Sequence, residues 1–326
     1  MAARIPESGA AVRRPLIHAS SERRPLIVWR FTDGKPGHDN QTLGLLAALR
    51  TLAPVDDFPI HIADCRTGLV ACLTGRTASG LDAPDPDLII GAGHATHLPM
   101  LNARRVRGGR VVVLMKPTLP TAWFDLCVIP AHDRTRHREN ILVTRGVLNR
   151  VRHGAEKDER AGLILVGGPS EHVAWSGAAV AGQIDAVLAR TPEWHWTLTT
   201  SRRTPADFLA QLDTDRPQLT VVPCEQTGPD WLPEQLARAA QVWVTQDSVS
   251  MVYEALTAGA AVGLLTVPWR NARDRLARGV AQLLRDGLVT AFDAWQQGQM
   301  LQPPVAPFNE AERCAAWIVQ RWLSAD

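Results

Sequence analysis

Residues 26–49 read LIVWRFTDGKPGHDNQTLGLLAAL. An apolar run (Leu26, Ile27, Val28) stops at a polar loop, Thr32 to Asn40, and a helical stretch follows with Leu43, Leu46, Ala47 and Leu49 or Arg50 read as its inward face. Strand, glycine loop, helix is the arrangement that aims backbone N–H groups and a helix N-terminus at an anionic ligand. Gly34 and Gly37 allow positive φ and close approach of a ligand. Lys35 adds charge and His38 a titratable ring. The plainer reading is a strand–helix turn capped by Asp39 or Asn40.

Outward from this stretch, strand-like runs alternate with helical ones along the whole chain. We expect strands near 26–31, 58–62, 87–91, 110–115, 125–129 and 141–145, and then near 161–166, 194–199, 218–222, 241–245 and 261–266. Leu88-Ile89-Ile90, Val111 to Met115 and Leu163 to Val166 are continuous apolar runs, as suits parallel strands covered on both faces. The pattern predicts an α/β protein of two Rossmann-like domains facing a cleft. The charged run RVRHGAEKDER at 150–160 has linker composition. The expected division is a disordered basic arm at 1–24, an N-terminal domain at 25–150, a C-terminal domain at 151–304 and a final helix at 305–326 that closes back on the first domain. Within the arm the pentapeptide Arg-Arg-Pro-Leu-Ile at 13–17 recurs at 23–27.

The chain has 326 residues, 45% hydrophobic and 21% charged, which suits a globular protein with full cores. A net charge of +2 gives no footprint for nucleic acid, although arginine-rich patches could meet phosphates or acidic lipid. The five cysteines are scattered and form no CxxC pair, so they read as reduced thiols rather than a disulfide framework or zinc site. No apolar run approaches the roughly 18 residues of a membrane span. These features lead us to expect a cytoplasmic protein, peripheral at most to a membrane surface.

Four further loops carry chemistry. Asp87 to Pro99 repeats the first pattern, a strand ending in Gly91-Ala92-Gly93-His94, and two such loops at neighbouring strand ends would face one crevice. Gly167-Gly168-Pro169-Ser170 opens the second half with a double glycine that would leave room for a diphosphate, or else a tight turn with Ser170 as a cap. Ser201-Arg202-Arg203 follows a strand, and its guanidinium groups suit bidentate phosphate contacts. Thr245 to Leu256 places Asp247 and Ser248 at a helix start and Glu254 within the helix, where its carboxylate could hold a ribose diol. Trp175, Trp231 and Trp269 sit beside loops and would either pack or stack on a base or sugar. Asp85-Pro86-Asp87 has the form of a metal-binding pair but lies at the entrance of a strand, the wrong end for a site in a doubly wound sheet. No metal or cofactor is expected beyond a nucleotide-sugar co-substrate.

The runs WRFTDGKPGHDNQ at 29–41, GGPS at 167–170, TTSRRTP at 199–205 and TQDSVSM at 245–251 resemble the bacterial and plant "elongated mitochondria" mitochondrial-fission-protein-like family over about residues 26–270. In plants that family name implies a part in placing division dynamins on mitochondria. The wider layout resembles GT-B glycosyltransferases, and most the transferase that adds N-acetylglucosamine to the lipid-linked peptidoglycan precursor. Lys35-Pro36 and Tyr253 depart from that enzyme's pattern.

This resemblance implies an inverting, metal-independent transferase using a nucleotide-diphosphate sugar. The second half would hold the donor through Gly167, Gly168, Ser170, Ser201, Arg202, Arg203, Asp247, Ser248 and Glu254. The first half would hold the acceptor, a lipid-linked or cell-envelope one, through Gly34, Lys35, Gly37, Asn40, Gln41, Gly93 and His94. His38 would be the general base, with Asp33 orienting it or replacing it. The alternatives are a non-catalytic scaffold that recruits division proteins on the same fold, and a nucleotide-sugar epimerase.

Overall fold

The computed structural model describes residues 24–65, 83–154 and 156–323. Most of the basic arm, Cys72 and the last three residues lie outside them. Twelve strands form two six-stranded parallel sheets. The first contains β1 (Leu26–Thr32), β2 (Val55–His61), β3 (Leu88–Ala92), β4 (Arg110–Leu114), β5 (Leu126–Pro130) and β6 (Ile141–Thr144), in the order β2-β1-β3-β4-β5-β6. The second contains β7 (Asp158–Leu165), β8 (His195–Thr199), β9 (Leu219–Val221), β10 (Ala239–Thr245), β11 (Ala261–Leu265) and β12 (Thr290–Ala291), in the order β12-β11-β10-β7-β8-β9. All eleven expected strands are present. Only β12, a two-residue edge strand, has too short a run to leave a periodic signal.

Helices cover both faces of each sheet, as the apolar runs require. Side chains alternate along the strands. Val28, Ile90, Val112 and Val128 therefore pack against α1 (Pro36–Arg50), while Trp29, Ile89, Val111 and Cys127 pack on the opposite face against α2 (His97–Arg107). In the second sheet Ile164, Trp196, Leu198 and Trp243 face α3 (Gly177–Arg190), and Leu163, Val242, Val244 and Val262 face the other way. That other side is covered by α4 (Trp231–Arg238), α5 (Val249–Thr257) and α6 (Arg275–Arg285). A short α7 (Phe292–Gln296) packs Phe292 and Trp295 onto Trp243.

The inward face of α1 differs from the expected one. Gln41, Thr42, Gly44, Leu45, Leu46, Ala48 and Leu49 are buried, whereas Leu43 and Ala47 are half-buried and Arg50 is exposed. The reason lies at the far end of the chain. Helix α8 (Glu310–Ile318), capped by the Asn309 side chain on Glu312 N, returns to pack Ala311, Cys314, Ala315 and Ile318 on Leu45, Leu46, Ala48 and Leu49. So α1 is buried by the sheet on one side and by α8 on another.

The charged run at 150–160 does not stay outside the structure. Val151 is buried in the second core, Asn149 Nδ2 donates to Thr257 Oγ1 at 3.0 Å, and residues 158–160 form the exposed start of strand β7. Among the described residues no helix is long and apolar enough to cross a membrane.

Candidate functional site

The C-terminal ends of β1, β3 and β4 face those of β7, β8 and β10 across a cleft. Two adjoining cavities of about 590 and 700 Å³ fill it. Pro36, Gly37, Arg202, Leu232, Val249, Ser250, Met251 and Leu276 line both, so the cavities are two compartments of one site.

On the first side, Gly34 takes φ +75° and lets the chain turn from β1 into α1. Neither Asp39 nor Asn40 caps α1. Lys35 stands at the cap position without a side-chain bond, Pro36 opens the helix, and Asp39 accepts a hydrogen bond from Thr32 Oγ1. The turn brings Asp33 against His38, with His38 Nδ1 at 2.9 and 3.0 Å from the two carboxylate oxygens. The Asp33 side chain is 3% exposed. Burial by itself would raise its carboxyl. The His38 hydrogen bond, the Lys35 N–H and the charges of His38 and Lys35 outweigh burial and hold it below the usual carboxylate range. With Asp33 on Nδ1, the His38 Nε2 is the ring nitrogen left to act, and His38 lines the larger cavity.

Gly93 and His94, expected at the acceptor, stand outside the lining of both cavities. Gly93 has φ +88° and ψ 150°, and a Cβ there would stand 2.4 Å from His38 Cε1. Its task is to let the His38–Asp33 pair sit over the end of β3. His94 is exposed and lines neither cavity, because the short turn after Gly93 carries it away from the cleft. His97 is buried edge-on to Phe124, and burial, together with nearby His94, lowers its pKa to about 4, so its ring is neutral. Gln41 Nε2 bonds Gly37 O and Met115 Sδ and fixes the cavity wall.

The second side differs most from the sequence-based expectation. The space beside Gly167 and Gly168 is filled rather than open. A Cβ on Gly167 would lie 2.3 Å from Asp247 Oδ2, and one on Gly168 2.1 Å from the Arg203 carbonyl oxygen. The Arg203 guanidinium turns inward, donating to Asp247 Oδ2 at 2.8 Å, Ser248 Oγ at 3.0 Å and Gly168 O at 2.8 Å. It neutralises an Asp247 carboxylate whose side chain is fully buried. Arg203 and the two glycines therefore shape the loop, and Ser170 turns to cap His172 N outside both cavities.

What reaches the smaller cavity is Thr199, Thr200, Ser201, Arg202, Arg203, Asp247 and Ser248, with Trp231 and Leu232 as an apolar wall. Trp175 and Trp269 instead pack against the cores. Removing the Arg203 partner leaves Asp247 buried and uncompensated. Arg203→Ala is expected to cost about 2–3 kcal/mol in urea unfolding, and Asp247→Asn in the same chain to recover part of it.

Glu254 lies on α5 in the larger cavity, with the first half as its neighbour. Asn40 Nδ2 donates to Glu254 Oε1 at 2.8 Å, and Arg150 N donates to Asn40 Oδ1 at 3.4 Å. Burial raises the Glu254 pKa to about 7, against the smaller opposing effects of the Asn40 bond and the Arg150 charge. A carboxyl held above its ordinary 4.5 favours the folded state while protonated, so this stabilisation is lost as pH rises from about 4.5 through 7. The loss is on the order of 3 kcal/mol. Glu254→Gln keeps the oxygen that accepts from Asn40 but cannot ionise. The urea midpoint of this variant is expected to fall less than that of the parent between these pH values.

Sequence reasoning did not find Met115, His132, Asn149, Arg150, Thr227, Leu232 or Pro233 as cavity walls, whereas Trp231, one of the three loop tryptophans it named, lines the smaller cavity. The missed walls come from separate segments of the chain and meet only in the fold. Asp85 and Asp87 bind Arg107 and Arg24, and Asp87 accepts from Ile27 N, so this pair anchors β3. Burial pushes the Cys127 and Cys314 thiols up to about 12, which leaves them unreactive.

Solved structures share this two-sheet arrangement. MurG of Acinetobacter baumannii aligns over 91% of this chain and 100% of its own, with 16% identity and a TM-score of 0.53. A putative UDP-N-acetylglucosamine 2-epimerase of Listeria monocytogenes aligns over 93% and 98%, with 11% identity and a TM-score of 0.61. The UDP-GlcNAc 2-epimerase of Neisseria meningitidis, bound to UDP-GlcNAc, aligns over 93% and 100%, with 10% identity and a TM-score of 0.53. At these identities the likeness establishes the fold, the GT-B arrangement. No curated protein sequence matches the chain. The profile of the family described as "Mitochondrial fission ELM1" matches residues 36–322, and the chain belongs to that family.

Proposed function

We propose that the chain transfers a sugar from a nucleotide diphosphate to an acceptor hydroxyl with inversion, without a metal. The observation that carries this reading is the His38–Asp33 pair facing, across one cleft, a cavity lined by Arg202, Ser248 and the first turn of α5. A 590 Å³ cavity suits a nucleotide. The opening N–H groups of α5 have no intrahelical acceptor, and together with Arg202 they would meet the diphosphate. Trp231 offers an apolar face for the base.

In this reading the acceptor hydroxyl gives its proton to His38 Nε2 while the Nδ1–H donates to Asp33. The hydroxyl oxygen bonds to the anomeric carbon as the carbon–diphosphate bond breaks. The imidazolium is stabilised by Asp33, and the leaving charge by Arg202 and the α5 N-terminus. Glu254 reaches a ribose diol only by exchanging its Asn40 bond for the sugar hydroxyls, so donor binding would be coupled to the contact between the halves.

Calorimetry against UDP-, GDP-, ADP-, dTDP- and CMP-linked sugars tests the reading. One of them is expected to bind, and His38→Ala to retain that binding while losing turnover. Absence of binding to the whole panel would favour a scaffold role for this family member. Interconversion of sugars with no acceptor present would favour an epimerase.

A further inference from the structure

A third cavity, of about 490 Å³, opens on the first half and is lined by Lys116, Thr121, Arg134, Thr135, Arg136 and Arg138, with Ile141 at its base. Four cations and two hydroxyls face it, and no carboxylate does. Among the described residues the guanidinium groups of Arg134, Arg136 and Arg138 have no hydrogen-bond or ion-pair partner. The nearest acid in sequence, Asp133, is already engaged by Arg275 at 3.3 Å and His132 at 3.9 Å. Glu139 follows the arginines in sequence but does not line the cavity.

The loop is held rather than loose. Lys116 Nζ donates to the carbonyl oxygens of Asp133 and Arg134 at 3.1 and 2.9 Å, and Arg134 keeps φ +44°, a conformation uncommon for a side-chain-bearing residue. Like charges gathered without counter-charges repel one another, and an anion relieves that repulsion. Guanidinium forks flanked by hydroxyls match the oxygens of a phosphate or diphosphate.

We propose that this cavity is a second anion site that takes a phosphate or diphosphate group. No residue lines both this cavity and the 700 Å³ one, but Met115 and His132 of that cavity are one and two positions from Lys116 and Arg134 of this one. On the transferase reading, the anion is the phosphorylated part of an acceptor whose hydroxyl reaches His38. Trp123, 48% exposed on the turn after Thr121, stands beside the site and gives a lipid-borne phosphate an apolar neighbour.

Full-length protein is titrated with inorganic pyrophosphate by calorimetry at low and high salt. The variants are R134Q/R136Q/R138Q, the milder R136Q/R138Q, and R202Q, which removes one of the two arginines that line the donor cavity. The triple variant is expected to bind pyrophosphate at least about tenfold more weakly, and R202Q to retain this binding. Pyrophosphate affinity unchanged in both arginine-loop variants, or lost in R202Q alone, would overturn the proposal. The double variant keeps the test valid should the triple one fold poorly.

Co-sedimentation with phosphatidylglycerol and with phosphatidylcholine vesicles separates the sources. Binding to the anionic vesicles that the triple variant loses assigns the site to a lipid headgroup, whereas pyrophosphate binding without vesicle binding assigns it to a free phosphate ligand. A nucleotide-sugar panel that fails while pyrophosphate binding behaves as described removes the transferase reading and leaves the anion site standing.

Discussion

Gly93→Ala is expected to destabilise the protein by about 3 kcal/mol or more and to dislodge His38. Two effects add at this position. The backbone sits at φ +88° and ψ 150°, a region that essentially only glycine occupies, and a side-chain residue forced there costs about 1–3 kcal/mol. The new Cβ would also stand 2.4 Å from His38 Cε1, 2.5 Å from His38 Nδ1 and 3.2 Å from Asp33 Oδ2. Either the ring swings away from Asp33 or β3 shifts, and β3 lies between β1 and β4 in the sheet. Urea unfolding measures the first effect. The His38 imidazole resonances of labelled protein measure the second. A variant with parental stability and an unmoved His38 signal would show that β3 and α1 do not enforce this contact.

If the chain is the proposed transferase, Asp33→Asn is expected to lower turnover by about three to four orders of magnitude while leaving donor affinity within a fewfold. The carboxylate is acceptor-only and so requires a proton on His38 Nδ1, which leaves Nε2 free to take the acceptor's proton. An amide can present its NH₂ group to the same nitrogen and fix the opposite tautomer. It also removes the negative charge that stabilises the imidazolium as it forms. On the transferase reading donor affinity would be set across the cleft by Arg202, Ser248 and α5, none of which bonds to Asp33. A proportional loss of donor affinity and turnover would mean that Asp33 supports the cleft instead of the chemistry. Retained turnover would remove His38 as the base.

Much of the first half of the site is legible in the residues themselves. Asp33, Gly34, Pro36 and His38 lie within six residues, and a strand followed by a glycine turn and a helix leaves few ways to arrange them. Local geometry carries the pairing of His38 with Asp33 almost unaided. The second half reads differently. TTSRRTP shows two adjacent arginines, but nothing local tells which one turns inward. The choice belongs to Asp247, which arrives from the loop after β10, two strands from β8 in the sheet, and must be neutralised where it is buried. Both arginines line the smaller cavity, and only Arg203 is tied to Asp247. Glu254 follows the same rule: its helix is apparent from sequence, while its Asn40 partner depends on how the two sheets face each other.

Sequence alone determined that this chain builds two parallel sheets. Runs such as Leu88-Ile89-Ile90 and Leu163 to Val166 exclude water from both faces and accept helices on each side. It also placed the glycine loops at strand ends, because turns from strand to helix need their conformational freedom. Tertiary structure alone decided which loop groups are free to act. Burial made Asp247 claim Arg203, lifted the Glu254 pKa toward neutrality and turned Gly93 from a ligand contact into clearance for His38. It also gathered Lys116 and the 134–138 arginines into one cavity. Contacts between distant segments set local charge balance and dielectric, and these quantities have no counterpart in the order of residues along the chain.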